Sequence, residues 1–373
     1  MLRKMKSLAI IVMAFTVSIG IVTITAGCNN RSDFTQGGAP LFFEEQYLFL
    51  DIGETARLDV REIFKHSGIN ISDYVLSSSS EWIASINNNV VTAHRAGNPN
   101  NNFIGQTTIS VALYDRSTRI RYFVPVAQVF VVDESYLTEI KTVDDLISIR
   151  DNLDGWYILK SNIDLSGNEW QGMGGTFSGV LINRGGFVIK NLTGATGLFG
   201  VNTGYIYGLH LENVFIDQTH VEDDFIMVGA IVSRNDGSGT IANSSVKGVV
   251  KSSGITGGIV GSNRGRVINS TFDGVVRNIS NRTADEMLDR ENIHDVAGGI
   301  VGINEGIIAH SNACGQISAS LVAGGIVGIN FTAITNARIF NSYFVFLPDT
   351  AHRLVAPIWG NPIGWERTLV GRN

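Results

Sequence analysis

"GGIVGIN" occupies residues 298–304, and the same seven residues return at 324–330, with "GGIVGSN" before them at 257–263. A phrase that recurs in a chain of otherwise varied sequence indicates repeated architecture, because an active site is usually written once. Alignment around the phrase extends the repeat to five copies, which begin at residues 197, 230, 258, 299 and 325. The copies share an apolar pair, a glycine or its substitute, an asparagine, a turn, a second apolar pair, and then asparagine or its substitute.

The copies are spaced irregularly. The first asparagines of the five copies are Asn202, Asn235, Asn263, Asn304 and Asn330, which lie 33, 28, 41 and 26 residues apart. Units of this length, with short β-runs and no helical periodicity, are typical of a parallel β-helix, where insertions loop out at corners. The longest gap contains the polar segment 277–297, which we interpret as such an insertion. The sequence therefore predicts an all-β fold in which residues 134–373 form a right-handed parallel β-helix.

Stacked rungs place each repeated residue over its counterpart in the next copy. One expected column consists of the isoleucines Ile231, Ile259, Ile300 and Ile326, and a second of the valines Val232, Val260, Val301 and Val327. These columns would form a continuous apolar core from units too small to bury one alone.

The repeated asparagines predict two further columns. A side-chain amide both donates and accepts, so a column of amides satisfies polar groups that would be costly to bury singly. The five first asparagines form one predicted structural ladder, and the second is formed by Asn243, Asn269, His310 and Asn341. We interpret His310 as a substitute within the ladder rather than as a general base.

Residues 41–133 form a different unit. Apolar, β-branched runs such as "QYLFLDI", "TARLDV", "WIASI", "VVTAH", "TTISVALY" and "YFVPVAQVFVVD" recur about every ten residues and predict an antiparallel β-sandwich. The Ser-rich stretch followed by Trp82, the strands at 84–86 and 90–91, and the turn at 96–97 resemble bacterial immunoglobulin-like domains of group 2. The resemblance implies a surface spacer or an adhesive unit.

The amino terminus carries an export signal. "MLRKMK" is basic, "SLAIIVMAFTVSIGIVTI" is apolar, and "TAGC" places small residues before Cys28. This pattern resembles a bacterial lipoprotein signal, which implies that residues 1–27 are removed and that Cys28 is lipidated. An uncleaved membrane anchor and an ordinary secretory signal are the alternatives, and all three export the chain. Residues 28–40 are then predicted to be a flexible tether.

The repeat phrase, with its "IxNS" continuation, is similar to the GLUG motif of bacterial surface proteins, including the IgA peptidase family outside its catalytic part. The resemblance covers about residues 137–345 and implies architecture, not catalytic residues. "DDLISI" (144–149) is expected to be a short helix that caps the amino-terminal end of the β-helix. The aromatic segment 357–371 is expected to close the other end.

Composition excludes several partners and chemistries. The net charge is −6 and no basic stripe is present, so nucleic acid is a poor candidate partner. Cys28 and Cys314 are the two cysteines, so a lipidated Cys28 leaves no disulfide framework, and we interpret Cys314 as a small strand residue rather than a nucleophile. The chain contains no HExxH, GxSxG, phosphate-binding loop or CxxC motif, and no cofactor is predicted.

Two short segments need separate interpretation. "DQTHVEDD" is the densest polar cluster, and its candidate cation ligands are Asp217, His220, Glu222, Asp223 and Asp224. It lacks the glycine turn of calcium loops, so a solvated loop without metal is favoured. "LPDTA" (347–351) resembles a sortase signal, but no apolar span and basic tail follow, so we interpret it as a turn.

Two classes of function stay open. The preferred one is a non-catalytic, lipid-anchored surface protein whose β-helix binds a glycan or a protein. The alternative is a carbohydrate-active enzyme, a polysaccharide lyase or hydrolase, that uses a groove of the β-helix. Such enzymes align acids and bases on one face, and the scattered Asp273, Arg264 and Arg266 do not match that pattern. A groove lined by aligned acids and bases would favour the enzyme, and a smooth face covered by Ser, Thr and Asn would favour binding.

Overall fold

The computed structural model describes most of the chain between residues 35 and 346. The described ranges are 35–36, 39–40, 46–64, 74–95, 105–115, 120–220, 226–279, 295–320, 322–331, 338–340 and 343–346. The predicted signal peptide, Cys28, the loop acids Glu222, Asp223 and Asp224, Asn341, "LPDTA" and the closing segment lie outside them. Most of the described residues are in strands, which confirms the predicted mostly β character.

Two sheets occupy the amino-terminal part. One has the strand order Gln46–Asp51, Ile120–Val132, Gly105–Asp115 and Val75–Ser78; the other has the order Thr55–Arg57, Val90–Ala93 and Ala84–Asn87. All neighbours are antiparallel except the first pair, which is parallel. The sheets share an apolar core of their own that includes Leu58, Val91, Ile109, Val111 and Val129.

Two local features of this part depart from the sequence interpretation. The run "TARLDV" ends in a one-turn helix at Val60–Ile63, because the Asp59 carboxylate accepts hydrogen bonds from the backbone N–H groups of Arg61 and Glu62. Within the predicted tether, Thr35–Gln36 pairs antiparallel with Ala39–Pro40.

A short cap precedes the repeats. It consists of a 3₁₀ turn at Glu134–Tyr136, the helix Val143–Ser148, and a second 3₁₀ turn at Ile149–Asp151. The helix begins with a capping box in which the Thr142 hydroxyl accepts from the Asp145 N–H and the Asp145 carboxylate accepts from the Thr142 N–H. Its buried face joins the core of the repeats, as predicted for "DDLISI".

The repeats form four parallel sheets, which we call faces 1 to 4. Face 1 contains Thr176–Phe177, Phe199–Asn202, Val232–Asn235, Val260–Asn263, Val301–Asn304 and Val327–Asn330. Face 2 contains Thr138–Ile140, Trp156–Leu159, Val180–Ile182, Tyr205–Tyr207, Thr240–Ala242, Arg266–Ile268, Ile307–Ala309 and Arg338–Phe340. Face 3 contains Ile163–Asp164, Glu169–Trp170, Val188–Lys190, Thr193–Gly194, His210–Gln218, Ser245–Ser252, Thr271–Asn278, Asn312–Ser318 and Tyr343–Phe346. Face 4 contains Met227–Val228, Ile255–Gly257, Val296–Gly298 and Val322–Gly324.

The chain visits the faces in the same order in each repeat, and every strand pairs with its counterpart one rung away. This arrangement of long parallel sheets is consistent with a β-helix. The four valines of the predicted column pair directly with one another, and the isoleucines beside them are fully buried. Burial of one such side chain stabilises the fold by about 1.5–3 kcal/mol, so the columns make up much of the core.

The glycines of the repeated phrase are needed for rung-to-rung contact. A Cβ atom on Gly258 would lie 2.2 Å from the carbonyl oxygen of Gly299, and one on Gly299 would lie 2.1 Å from that of Gly325. On face 3, Gly274 has a φ of +151° and its added Cβ would lie 1.9 Å from the Gly248 carbonyl oxygen. Only glycine fits such a close backbone approach.

The outer surface of face 2 is covered by the amino-terminal sheets. The ring of Phe49 stacks on Tyr207 with centroids 3.9 Å apart, and Phe130 meets Tyr205 edge-on at 6.1 Å. Beside this aromatic contact, Arg184 pairs with Glu54 and, at 3.1 Å, with Glu134. Face 2 is therefore an internal interface between the two parts.

Candidate functional site

The five first asparagines lie in one column on face 1. Asn202 pairs with Asn235 in the strand register, and the register continues through Asn263, Asn304 and Asn330. Each Nδ2 donates to the Oδ1 of the next asparagine at 2.7 or 2.8 Å. All five side chains are buried, so the column is a chain of amides inside the β-helix.

The same amides also hold the turn that follows each strand. The Asn304 Nδ2 donates to the carbonyl oxygen of Gly306 at 3.1 Å, and the Gly306 N–H donates to the Asn304 Oδ1 at 3.2 Å. Asn202 makes the equivalent pair of contacts with Gly204. Among the described residues, these amide groups are therefore occupied by the fold.

The second column differs from the expected amide ladder. Asn243, Asn269 and His310 have φ values of 51°, 47° and 51°, which is the left-handed region. The Asn243 N–H donates to the Ile268 carbonyl oxygen, while its side chain donates to the Tyr207 hydroxyl at 3.0 Å. No amide-to-amide bond joins Asn243 and Asn269, both of which the structure describes. These residues are corner residues, since asparagine tolerates positive φ better than most residues do.

A serine column that the sequence interpretation missed lies directly after the corners. The hydroxyls of Ser244, Ser270 and Ser311 donate to the carbonyl oxygens of the residues two positions earlier. They accept from the backbone N–H groups of Leu209, Ser244 and Ser270, each one rung away. The signal was present, because serine follows the second asparagine, or the histidine that replaces it, in each of these copies.

His310 is largely buried at its corner. Burial lowers the pKa of its imidazole from the ordinary 6.5 to about 4, so the ring is neutral at pH 7. A neutral, enclosed ring at a corner is consistent with a structural position.

Face 3 presents an exposed outer surface. Along its strands, buried residues such as Leu211, Val246 and Phe272 alternate with residues that point outward. One outward row consists of charged residues whose sign alternates from rung to rung: Asp164, Lys190, Glu212, Lys247 and Asp273. Its neighbours are in register except for Glu212 and Lys247, which are offset by a bulge between Leu211 and Val214. We call this row the charged column.

Neighbouring members of the charged column neutralise one another. Lys190 lies 3.4 Å from Glu212, and Lys247 lies 3.9 Å from Asp273. The pKa of Asp164 lies below its ordinary value because the Asn191 amide and Ser166 donate hydrogen bonds to it.

An apolar stripe runs beside the charged column. Phe215, Val249 and Val275 stand next to one another on successive rungs, and Phe215 is 43% exposed. The ammonium of Lys251 lies 4.9 Å from the centre of the Phe215 ring. Phe215 and the half-buried valines beside it form a small apolar surface that a partner could cover.

Asp217, the first acid of the predicted polar loop, borders the stripe. Burial alone would raise its pKa, but hydrogen bonds from Thr219 and the nearby Lys251, 3.5 Å away, outweigh burial and lower it. His220 is exposed, and the other three loop acids lie outside the described residues. Across the part of the chain that is described, no three potential metal ligands cluster together.

The remaining candidates do not converge on one site. Asp273 is on face 3, Arg266 is on face 2, and Arg264 pairs with Glu305 at 3.0 Å at the corner between faces 1 and 2. Cys314 follows Asp273 in the register, and burial together with that carboxylate raises the pKa of its thiol. A raised pKa makes the thiol a weak nucleophile.

One pair on face 3 has the geometry of a hydroxyl and a base. The Ser245 Oγ lies 2.8 Å from the His210 Nδ1, and burial lowers the pKa of His210. Glu212, two residues from His210, is paired with Lys190. Nucleophilic catalysis also needs donors for the developing oxyanion and a third group that orients the base.

No protein-family model matches the chain, and no curated protein matches it. Within the described residues, no helix has the length and apolar character needed to cross a membrane. The architecture is thus defined by the mostly β fold with long parallel sheets, and the resemblances named above stay predictions.

Proposed function

We propose that the chain is a non-catalytic, lipid-anchored cell-surface protein that binds a glycan or a protein through face 3. The observation that carries the proposal is that the outward acids on this face are held in ion pairs. Glu212, Asp273 and Asp217 each lie within 3.9 Å of a lysine one rung away. Acids held in ion pairs supply charged contacts for a ligand, whereas general acid–base catalysis needs a group positioned to exchange a proton with the substrate.

The rest of the proposal follows from sequence resemblance. The basic and apolar leader before Cys28 supports export and lipidation, which would attach the protein to the bacterial cell envelope. The parallel pairing of Gln46–Asp51 with Ile120–Val132 in an otherwise antiparallel pair of sheets supports an immunoglobulin-like domain over residues 41–133. The repeated phrase supports a GLUG-type β-helix over residues 134–373.

Membrane fractionation of cells that express Cys28→Ala tests the anchor. We expect the variant protein to leave the membrane fraction.

A binding experiment tests the role of face 3. The full chain is screened against polysaccharides and surface-protein extracts, and any ligand found is titrated against Phe215→Ala. Phe123→Ala is the matched control, because Phe123 is also exposed, at 58%, but lies on the amino-terminal sheets. We expect binding to weaken by about tenfold or more in the first variant and to be unchanged in the second.

The same polysaccharides are assayed for new reducing ends and unsaturated products. We expect none. Turnover that disappears in His210→Ala or Ser245→Ala would replace the binding function with the carbohydrate-active enzyme, and equal loss of binding in the two phenylalanine variants would remove face 3 as the site.

A further inference from the structure

The outward residues of face 3 have a pattern of charge that is complementary to itself. The rung Ser245–Ser252 carries Lys247 and Lys251 outward. On the rung before it, Asp217 pairs in register with Lys251, and Glu212 lies beside Lys247 in a bulge between Leu211 and Val214. An acidic rung therefore lies beside a basic rung. On each rung, the residue of the apolar stripe lies between the two charged residues.

We propose that face 3 binds a second copy of this chain in an antiparallel, face-to-face pair. This proposal deepens the binding function proposed above by naming the partner. Its two-fold axis would run along the strand direction, between the acidic rung and the basic rung. Such an axis lays each column against itself and reverses the order of the rungs, which is the isologous arrangement of most homodimers.

Reversal of the rungs matches opposite charges. Glu212 would lie opposite Lys247 of the second copy, and Asp217 would lie opposite Lys251 of the second copy. The axis repeats both pairs, so the centre of the interface gains four such contacts. Lys190 is one rung outside the acidic rung and Asp273 is one rung outside the basic rung, so these two also meet.

The apolar stripe completes the contact. Phe215 would lie against Val249 of the second copy, which removes an exposed aromatic ring and a β-branched side chain from water. Two sheets pack face to face at about 10 Å, a distance that side chains of this size fill.

The charge pattern also favours a second copy over other charged partners. A free polyanion or polycation would meet repulsion at every second position of the charged column. A partner with the same alternation of charge would not.

Charge exchange tests the proposal. Sedimentation of the full chain in detergent solution, over a wide range of concentration, should show a dimer. Lys247→Glu alone or Glu212→Lys alone places like charges together across the axis and should weaken the dimer by about tenfold or more. The double variant restores opposite charges across the axis and should restore the dimer.

The double variant separates this interface from pairing within one chain. Inside a single copy, the exchange puts like charges beside Lys190 and beside Asp273, and each single variant also creates two like-charged neighbouring pairs. A column that served only its own fold would therefore not be rescued in the double variant. Lys141→Glu is the matched control, because Lys141 is exposed and lies outside face 3. Circular dichroism checks that every variant is folded.

Each result decides the proposal. A folded wild-type chain that stays monomeric, or a folded double variant that does not regain the dimer, would overturn it. A monomeric chain that still binds a glycan or another protein through Phe215 would overturn the dimer and leave the proposed function standing.

Discussion

Two columns rich in asparagine run along the same β-helix, and the structure uses the residue differently in each. In the column of Asn263, the side chain is buried and its amide is linked to the amides above and below. In the column of Asn269, the backbone has a positive φ and the side chain is partly exposed at a corner. One residue type therefore serves two physical needs, an amide in the first case and a left-handed backbone in the second.

The largest expected effect comes from breaking the buried column. Asn263→Ala removes the hydrogen bonds that the Nδ2 of Asn235 and the Oδ1 of Asn304 make with Asn263 inside the core. We expect the free energy of unfolding to fall by about 3 kcal/mol, because two buried polar groups each lose a hydrogen bond and the bonds of Asn263 to its own turn are lost as well. Chemical denaturation of the full chain measures this. Asn269→Ala, at a corner, is the comparison, and an equal loss in both variants would show that the two columns do not differ.

The next effect separates the histidine from the asparagines of its column. Because the pKa of His310 is about 4 in the folded chain and 6.5 in the unfolded chain, the unfolded state takes up the proton first as the pH falls. The folded state should therefore lose about 3 kcal/mol between roughly pH 6.5 and pH 4, and no more below that range. His310→Asn removes the titrating group, so thermal unfolding of the variant should lack this share of the acid sensitivity. Identical pH profiles for the two proteins would contradict the depressed pKa.

The smallest effects define the corner column. Gly208 stands at the equivalent corner of an earlier rung with a φ of 68°, so Asn269→Gly should change stability by less than about 0.5 kcal/mol. Asn269→Val should cost about 1–2 kcal/mol, because a β-branched residue is strained at positive φ. Denaturation of the two variants side by side makes the test. A glycine variant as unstable as the valine variant would mean that the amide of Asn269 matters more than its backbone.

The repeated residues made the interior predictable from sequence. The pair Ile259 and Val260 recurs at the same place in four of the five copies, and repetition alone assigns these residues to columns whatever the length of the loops between copies. An asparagine in the sequence does not reveal whether the fold requires its buried amide or its tolerance of positive φ. The corner column was therefore expected to be a second amide ladder. The serine column was visible in the same alignment but carries no distinct chemical signature in sequence.

The exterior of the β-helix was harder to predict. One outward column contains Lys247, Asp273 and Cys314. These three residues are of different types, so alignment of the copies gives no reason to group them. The contact of Phe49 with Tyr207 joins residues far apart in sequence, and no local pattern encodes it. Both features depend on which strands become neighbours, and they become visible only when the rungs are stacked.

The parallel pair in the amino-terminal sheets has a mechanical consequence for an anchored protein. Tension from the envelope side would enter this part at Gln46, and the chain leaves it for the β-helix at Val132. Because Gln46–Asp51 runs parallel to residues 127–132, opposing forces at those two ends slide the strands along each other instead of peeling them apart. All six residue pairs then bear the load together, so this short pair of strands would be the part of the domain that withstands a pull on the cell surface.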